Sequence, residues 1–153
     1  MWELTVLTVG RISDTNIRRA AERYASMLSG GWSLRFESVA PSRRREPSAC
    51  RNEEGKALLK RLPKDRVAVV LHPRGERVTS EALGDRLARW KDEGRRVAFV
   101  VGGPHGLSEE LLARCGHRLS LSDLTLPHEL ATLVVVEQIY RAQARYSGKA
   151  YAK

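Results

Sequence analysis

The chain has 153 residues, 42% hydrophobic and 29% charged, enough for one soluble globular domain whose core needs no disulfide or metal staple. Met1-Trp2-Glu3-Leu4 lacks the basic flank and apolar stretch of a secretion signal, and no apolar run is long enough to span a bilayer, so a cytoplasmic protein without a membrane partner is expected. With 27 Lys and Arg against 18 Asp and Glu, a formal net charge of +9, the chain suits a polyanionic partner and nucleic acid above all.

Residues Glu3 to Val9 alternate and then fill with β-branched types, which predicts a first strand ending at Gly10. A helix follows, with Ser13 or Asp14 as N-cap, an apolar stripe of Ile17, Ala20, Ala21, Tyr24, Met27 and Leu28, and Gly30-Gly31 as its stop. Leu34 to Val39 reads as a short second strand. Pro41-Ser42-Arg43-Arg44-Arg45-Glu46-Pro47 is bracketed by prolines and reads as a mobile basic loop, either merely solvated or contacting phosphates of a nucleic-acid backbone. From Ser48 the pattern turns helical through Ala57, Leu58, Leu59 and Leu62, and Pro63 ends it.

Val67-Ala68-Val69-Val70-Leu71 is the continuous apolar run of a strand covered on both faces, stopping at His72-Pro73-Arg74-Gly75. Ser80 can cap a helix in which Leu83, Leu87 and Trp90 recur at helical spacing before Gly94. Val97 to Val101 forms a fourth strand that breaks on Gly102-Gly103-Pro104-His105-Gly106. A short helix begins at Ser108-Glu109-Glu110, and a fifth strand lies near Arg118 to Leu121. Alternating strands and helices predict a single α/β domain over residues 1–153, with a mostly parallel sheet and helices on both faces. In the last helix Leu130, Leu133, Val134, Val135, Val136, Ile139, Tyr140 and Ala142 fall around the whole circumference. Such a helix is buried on all sides, so part of it needs cover from a second chain, and a two-fold homodimer is expected.

Cys50 and Cys115 share no metal-ligand spacing with each other or with His72, His105, His117 and His128, and read as reduced structural thiols. No metal site is expected. Neither the G-x-G-x-x-G fingerprint after the first strand nor a G-x-x-x-x-G-K-[ST] loop occurs. The glycine cluster after the fourth strand is a weak signal alone. Three strand ends, at Leu71, at Gly102 and at Leu121 to Leu126, would however share the carboxyl edge of one sheet, where open α/β sheets bind ligands. The Ser120-Leu121-Ser122-Asp123-Leu124-Thr125-Leu126-Pro127 turn offers amides and hydroxyls among leucines, a mixture able to hold an adenine edge and a ribose.

Three motifs carry a family resemblance: Gly102-Gly103-Pro104-His105-Gly106-Leu107, the run from Leu119 to His128, and Glu137-Gln138-Ile139-Tyr140-Arg141-Ala142. With the early Val9-Gly10-Arg11 and the chain length, they resemble the RlmH family of SPOUT methyltransferases over essentially the whole chain. The resemblance implies transfer of a methyl group from S-adenosylmethionine to N3 of a pseudouridine in large-subunit (23S) ribosomal RNA. It further implies a C-terminal trefoil knot, a homodimer through the last helix, and cofactor contacts from Leu71, Gly102, Leu121, Ser122, Asp123, Leu124, Thr125 and Leu126. Pseudouridine N3 is mostly protonated at neutral pH, so transfer requires removal of its proton or stabilisation of the developing anion. The candidate catalytic groups are Arg141, His128 and Tyr151. Each also has a structural role open to it: an ion pair with Glu137, the start of a helix after Pro127, and a frayed terminus. The chain departs from the family pattern at three positions, with His72 for an aspartate, Thr132 for an arginine and Ala152 for a histidine. The alternative reading is therefore a cofactor-binding, RNA-binding protein of the same fold with lost or altered catalysis.

Overall fold

The computed structural model describes residues 1–151. Its elements follow as β1 (Trp2–Val9), α1 (Thr15–Ser26), β2 (Trp32–Val39), α2 (Pro47–Lys60), β3 (Val67–Arg77), α3 (Ser80–Asp92), β4 (Val97–Val101), α4 (Glu109–Arg114), β5 (His117–Ser120) and α5 (His128–Tyr146). The five strands form one sheet in the order β2-β1-β4-β3-β5, and every neighbouring pair is parallel. The α/β architecture predicted from alternation is the one observed.

Side-chain alternation along the strands divides the core in two, because successive residues face opposite sides of a sheet. Leu4, Val6, Val67, Val69, Val97 and Phe99 face one side, where Ala21, Leu83, Leu87, Val136 and Ile139 from α1, α3 and α5 cover them. Leu7, Val9, Val70 and Val100 face the other, under Leu58 of α2 and Leu111 and Leu112 of α4. α5 packs between α1 and α3. Gly84 permits its close approach to α3: a Cβ there would sit 3.7 Å from the Ala142 methyl.

Local signals set the helix starts. The Asp14 carboxylate accepts the N–H groups of Asn16 and Ile17 at 2.9 and 3.0 Å, so Asp14 rather than Ser13 caps α1. Pro47 is not the closing bracket of a loop but the opening of α2, where its missing N–H is no loss, and Glu46 supplies the cap. The Ser48 hydroxyl and the Ser48 and Ala49 N–H groups hold the Glu46 carboxylate down to about 2. The arginine segment before it is tied rather than free: Glu54 accepts the Ser42 N–H at 2.9 Å, Glu53 pairs with Arg44 at 3.2 Å, and the Arg44 carbonyl accepts the Cys50 thiol.

β3 extends past the predicted stop at His72. Its pairing with β4 ends at Val70, so Pro73 interrupts no ladder there. On the other side, Leu119 of β5 pairs with both Leu71 and Glu76, and residues 72–75 bulge out between them. α5 keeps one side uncovered within this chain. Its Ala131, Val135, Val136, Ile139 and Ala142 are buried within this chain, while Leu130, Val134, Glu137, Gln138 and Arg141 form a partly exposed band.

Candidate active site

The helices leaving β3 and β4 go to opposite faces: α3 joins α5, and α4 joins α2. Between two such neighbouring strands the carboxyl edge opens into a crevice, the usual ligand position in an open parallel sheet. A cleft of about 950 Å³ lies there. Its floor is Leu71, Val101, Gly102 and Leu119; its walls are the 72–74 bulge, the 103–107 turn and the whole of 121–127, with Arg51, His128 and Ala131 at the margin.

The glycine turn is closed by the Gly106 N–H donating to the Gly103 carbonyl at 3.0 Å, with Gly106 in the left-handed region at φ +83°. Gly102 is required for a different reason. A Cβ there would meet the Leu107 side chain at 2.8 Å and the Gly106 backbone at 3.1 Å. The opposite wall is shaped by serines: the Ser120 hydroxyl donates to the Ser122 carbonyl at 3.2 Å, and the Ser122 hydroxyl accepts the Leu124 N–H at 2.9 Å. Arg77 at the end of β3 pairs with Asp123 at 2.7 Å, and Leu124 stands 75% exposed on the lip. The lining is thus apolar at its base and rich in backbone groups and hydroxyls above, with His72, Arg74 and Arg51 supplying donors at the rim. It can enclose a flat heterocycle with polar edges and a carboxylate-bearing tail.

The family model described as "Predicted SPOUT methyltransferase" matches residues 2–151. The chain is 44% identical to the Ribosomal RNA large subunit methyltransferase H of Anaeromyxobacter dehalogenans (strain 2CP-C), with 99% of each chain covered. It is 36% identical to the protein of that name from Xylella fastidiosa (strain Temecula1), over 93% of this chain and 92% of the other. For the one from Stenotrophomonas maltophilia (strain R551-3) the figure is 34%, over 95% and 96%. The chain belongs to the RlmH family of SPOUT methyltransferases.

In this RlmH-family chain, all eight predicted cofactor residues, Leu71, Gly102 and Leu121 through Leu126, line the one cleft, and His128 lies at its edge. Arg141 and Tyr151 do not line it. Arg141 lies 13 residues beyond His128 on α5, about 20 Å at 1.5 Å per residue. There its Nε and Nη2 donate to Glu137 Oε1 at 3.1 and 2.8 Å, and its guanidinium stacks 4.7 Å from the Tyr151 ring centroid. The Tyr151 hydroxyl donates to the same Glu137 oxygen at 3.2 Å, and its ring packs edge-on against Tyr140 at 4.9 Å. Burial, the Tyr24 hydroxyl and the Glu137 charge push the Tyr151 phenol well above its ordinary value, so it is protonated at neutral pH. Thr132 is buried and donates to the His128 carbonyl at 2.8 Å. Ala152 lies outside the described residues.

Sequence reading missed several residues of the cleft. Arg51 comes from α2, the first turns of which reach the glycine loop, and its Nη1 donates to the His105 carbonyl at 3.4 Å. Arg74 enters only because the bulge turns it inward. A second missed group is Glu129, which follows His128. It accepts the Ser13 N–H and hydroxyl at 3.0 and 2.8 Å and the Asp14 N–H at 3.0 Å, latching the β1–α1 loop to the start of α5. Those N–H groups hold its carboxyl below the usual carboxylate range. A depressed folded value means the latch stabilises fully above the ordinary carboxylate range and is lost as pH falls through the folded value. Glu129→Gln should therefore destabilise the protein at neutral pH and flatten the acid limb of melting temperature against pH. An unchanged acid limb would show that the latch carries no linkage.

Proposed function

We propose that this chain transfers the methyl group of S-adenosylmethionine to N3 of a pseudouridine in large-subunit ribosomal RNA, as a cytoplasmic homodimer with the C-terminal trefoil knot of its family. The observation that carries the reading is the convergence of three strand ends on one backbone-lined cleft in a chain of this family. Relatives named as large-subunit ribosomal RNA methyltransferases, along almost their full length, support the substrate class.

The cleft residues fit the cofactor by their chemistry. Leu71, Leu119, Leu121 and Leu126 provide apolar cover for an adenine, the 121–126 backbone can read its edge, Ser122 or Thr125 can bond a ribose, and the rim arginines suit a carboxylate. A Cβ at Gly102 would crowd the turn that frames this space. When bound, the cofactor supplies a methyl group activated on a sulfonium. The protein's share is to exclude water, align the imide nitrogen with that methyl, and stabilise the charge left as the N3 proton departs. Arg141 suits the last task because its planar cation can face a carbonyl oxygen beside N3, while Tyr151 offers a phenol that stays protonated. Arg141 lies about 15 Å along α5 beyond Ala131, the last cleft residue, and Tyr151 packs beside it, so both groups fit better at the cleft of a second copy. The band of Leu130, Val134, Gln138 and Arg141 gives that copy a face to cover.

Incubation with radiolabelled S-adenosylmethionine and ribosomes from cells lacking this enzyme should place label on pseudouridine in large-subunit RNA. In a parallel melt without RNA, cofactor at a hundred times its dissociation constant should stabilise the chain by about 2.7 kcal/mol. Thr132 supplies no cation, and its hydroxyl is turned back onto His128. That arrangement favours the second reading, cofactor and RNA binding with lost or altered transfer. Stabilisation by cofactor without label on RNA would decide for it.

A further inference from the structure

At the amino edge of the sheet, opposite the cleft, lies a second pocket of about 250 Å³. Lys64, Arg66 and Arg114 ring it over a base of Leu59, Leu62 and Ala68, and its lining contains no carboxylate. Arg66 reaches in beneath β1, where its Nη1 donates to the Thr5 hydroxyl at 3.3 Å, and its buried Nε has no hydrogen-bond partner. Neither Lys64 nor Arg114 has a carboxylate partner among the described residues. The nearby Glu37 is taken by Arg35 at 2.7 Å and by Arg61 at 3.8 Å. Burial and the neighbouring Arg96 pull the Arg66 guanidinium below its ordinary value, with Glu37 and Asp65 opposing. A buried guanidinium donor without an acceptor is costly. A tetrahedral anion in the pocket would meet the charges of Lys64, Arg66 and Arg114 with no carboxylate in the lining to compete.

The position of the pocket identifies the source of that anion. α2 runs 14 residues, about 21 Å, with Arg51 near one end at the cleft and Leu59 at the other in the basic pocket. Exposed Lys56 lies between and exposed Lys60 follows Leu59, while Arg43, Arg44 and Arg45 precede the helix, Arg44 being paired with Glu53. One helix therefore links the two sites by a basic track of the kind that positions a nucleic-acid backbone without reading its bases. We propose that the amino-edge pocket binds a phosphate group, and that its occupant is a backbone phosphate of an RNA strand running along α2 from the cleft. The assignment to RNA, though not the site itself, rests on the reading of the cleft above.

The double variant Lys64→Gln, Arg114→Gln tests it, since both side chains are exposed and circular dichroism melting checks the fold. Arg18→Gln, Arg19→Gln on exposed positions of α1 is the control of equal charge. Inorganic phosphate titrated into the native protein should shift the amide signals of residues 62–68 and 112–116, and the double variant should lose those shifts. Binding of a short oligouridylate should lose about 1.4 units of slope in log affinity against log salt in the double variant, and less in the control. A larger slope loss than the control upholds the RNA site even if free phosphate binds too weakly to detect. Phosphate shifts with equal slopes assign the pocket to a free phosphate and overturn the RNA source. Absence of both effects overturns the site. Neither readout involves methyl transfer, so this site and the methyltransferase reading can fail separately.

Discussion

Gly75→Ala is expected to destabilise the protein by about 3 kcal/mol, in the range of overpacked cores, and to lower its melting temperature by about 6 to 12 °C. The cause is spatial. A Cβ at Gly75 would sit 2.7 Å from both the N and C of Leu119 and 2.8 Å from the C of Arg118, and all three are backbone atoms that no rotamer change can move. The methyl can be admitted only by pushing β5 off β3 or by flattening the 72–75 bulge. Either movement displaces a wall of the cleft, since His72 and Arg74 ride on the bulge and β5 leads directly into 121–127. Methyl transfer should accordingly fall by on the order of a hundredfold, the effect of misplacing a reacting group by about 1 Å. Gly116→Ala is the matched control. It lies just before the same strand, has no positive φ, and a Cβ there would meet nothing within 4 Å. Its effect should stay within about 0.5 kcal/mol. If the two variants melt together, the seam between the bulge and β5 is not the constraint described.

Arg141→Ala should reduce methyl transfer to ribosomal RNA by about a hundred- to a thousandfold, the usual result of removing one donor to a developing anion, with cofactor affinity unchanged. Stability should fall by only about 1 kcal/mol, because what is lost is an i,i+4 pair with Glu137 and a stack on the Tyr151 ring on a partly exposed helix face. Activity and stability therefore separate. The proposed dimer adds a stricter test, the mixing of two disabled chains. Gly102→Val closes the cleft, since even a Cβ there collides with Leu107 and the Gly106 backbone. A heterodimer of Gly102→Val with Arg141→Ala has no chain with both parts intact. If Arg141 serves the neighbour's cleft, one of its two sites is complete and about half the activity returns. If Arg141 acts within its own chain, nothing returns and the shared-site proposal fails.

Most element positions were legible because they depend on short-range chemistry. The Val97 to Val101 run and the Ser108 start of α4 need only neighbours in sequence to be recognised, whereas α1 stops at Ser26 with Met27 as its C-cap, short of Gly30. Pro47 and Pro73 were misread for one reason. A proline's effect depends on whether its missing N–H would have had a partner, and that is settled by what lies alongside. At the first turn of α2 no partner was due; beyond the end of the β3–β4 ladder none was available. The tied arginine segment was likewise hidden, because Glu53 and Glu54 reach it from α2.

By itself the sequence determined a parallel α/β sheet, a cleft built from three named strand ends, a basic surface and the family to which those motifs belong. Each follows from periodicity, turn chemistry or motif, which are properties of contiguous residues. Only the tertiary structure decided that α3 and α4 part to opposite faces and open the cleft, that a four-residue bulge aims His72 and Arg74 into it, and that Arg141 and Tyr151 stand together outside it. Those outcomes rest on pairings between residues far apart in the chain, such as Leu119 with Glu76 and Ser13 with Glu129, and no local pattern encodes which partner a strand edge or a carboxylate will meet.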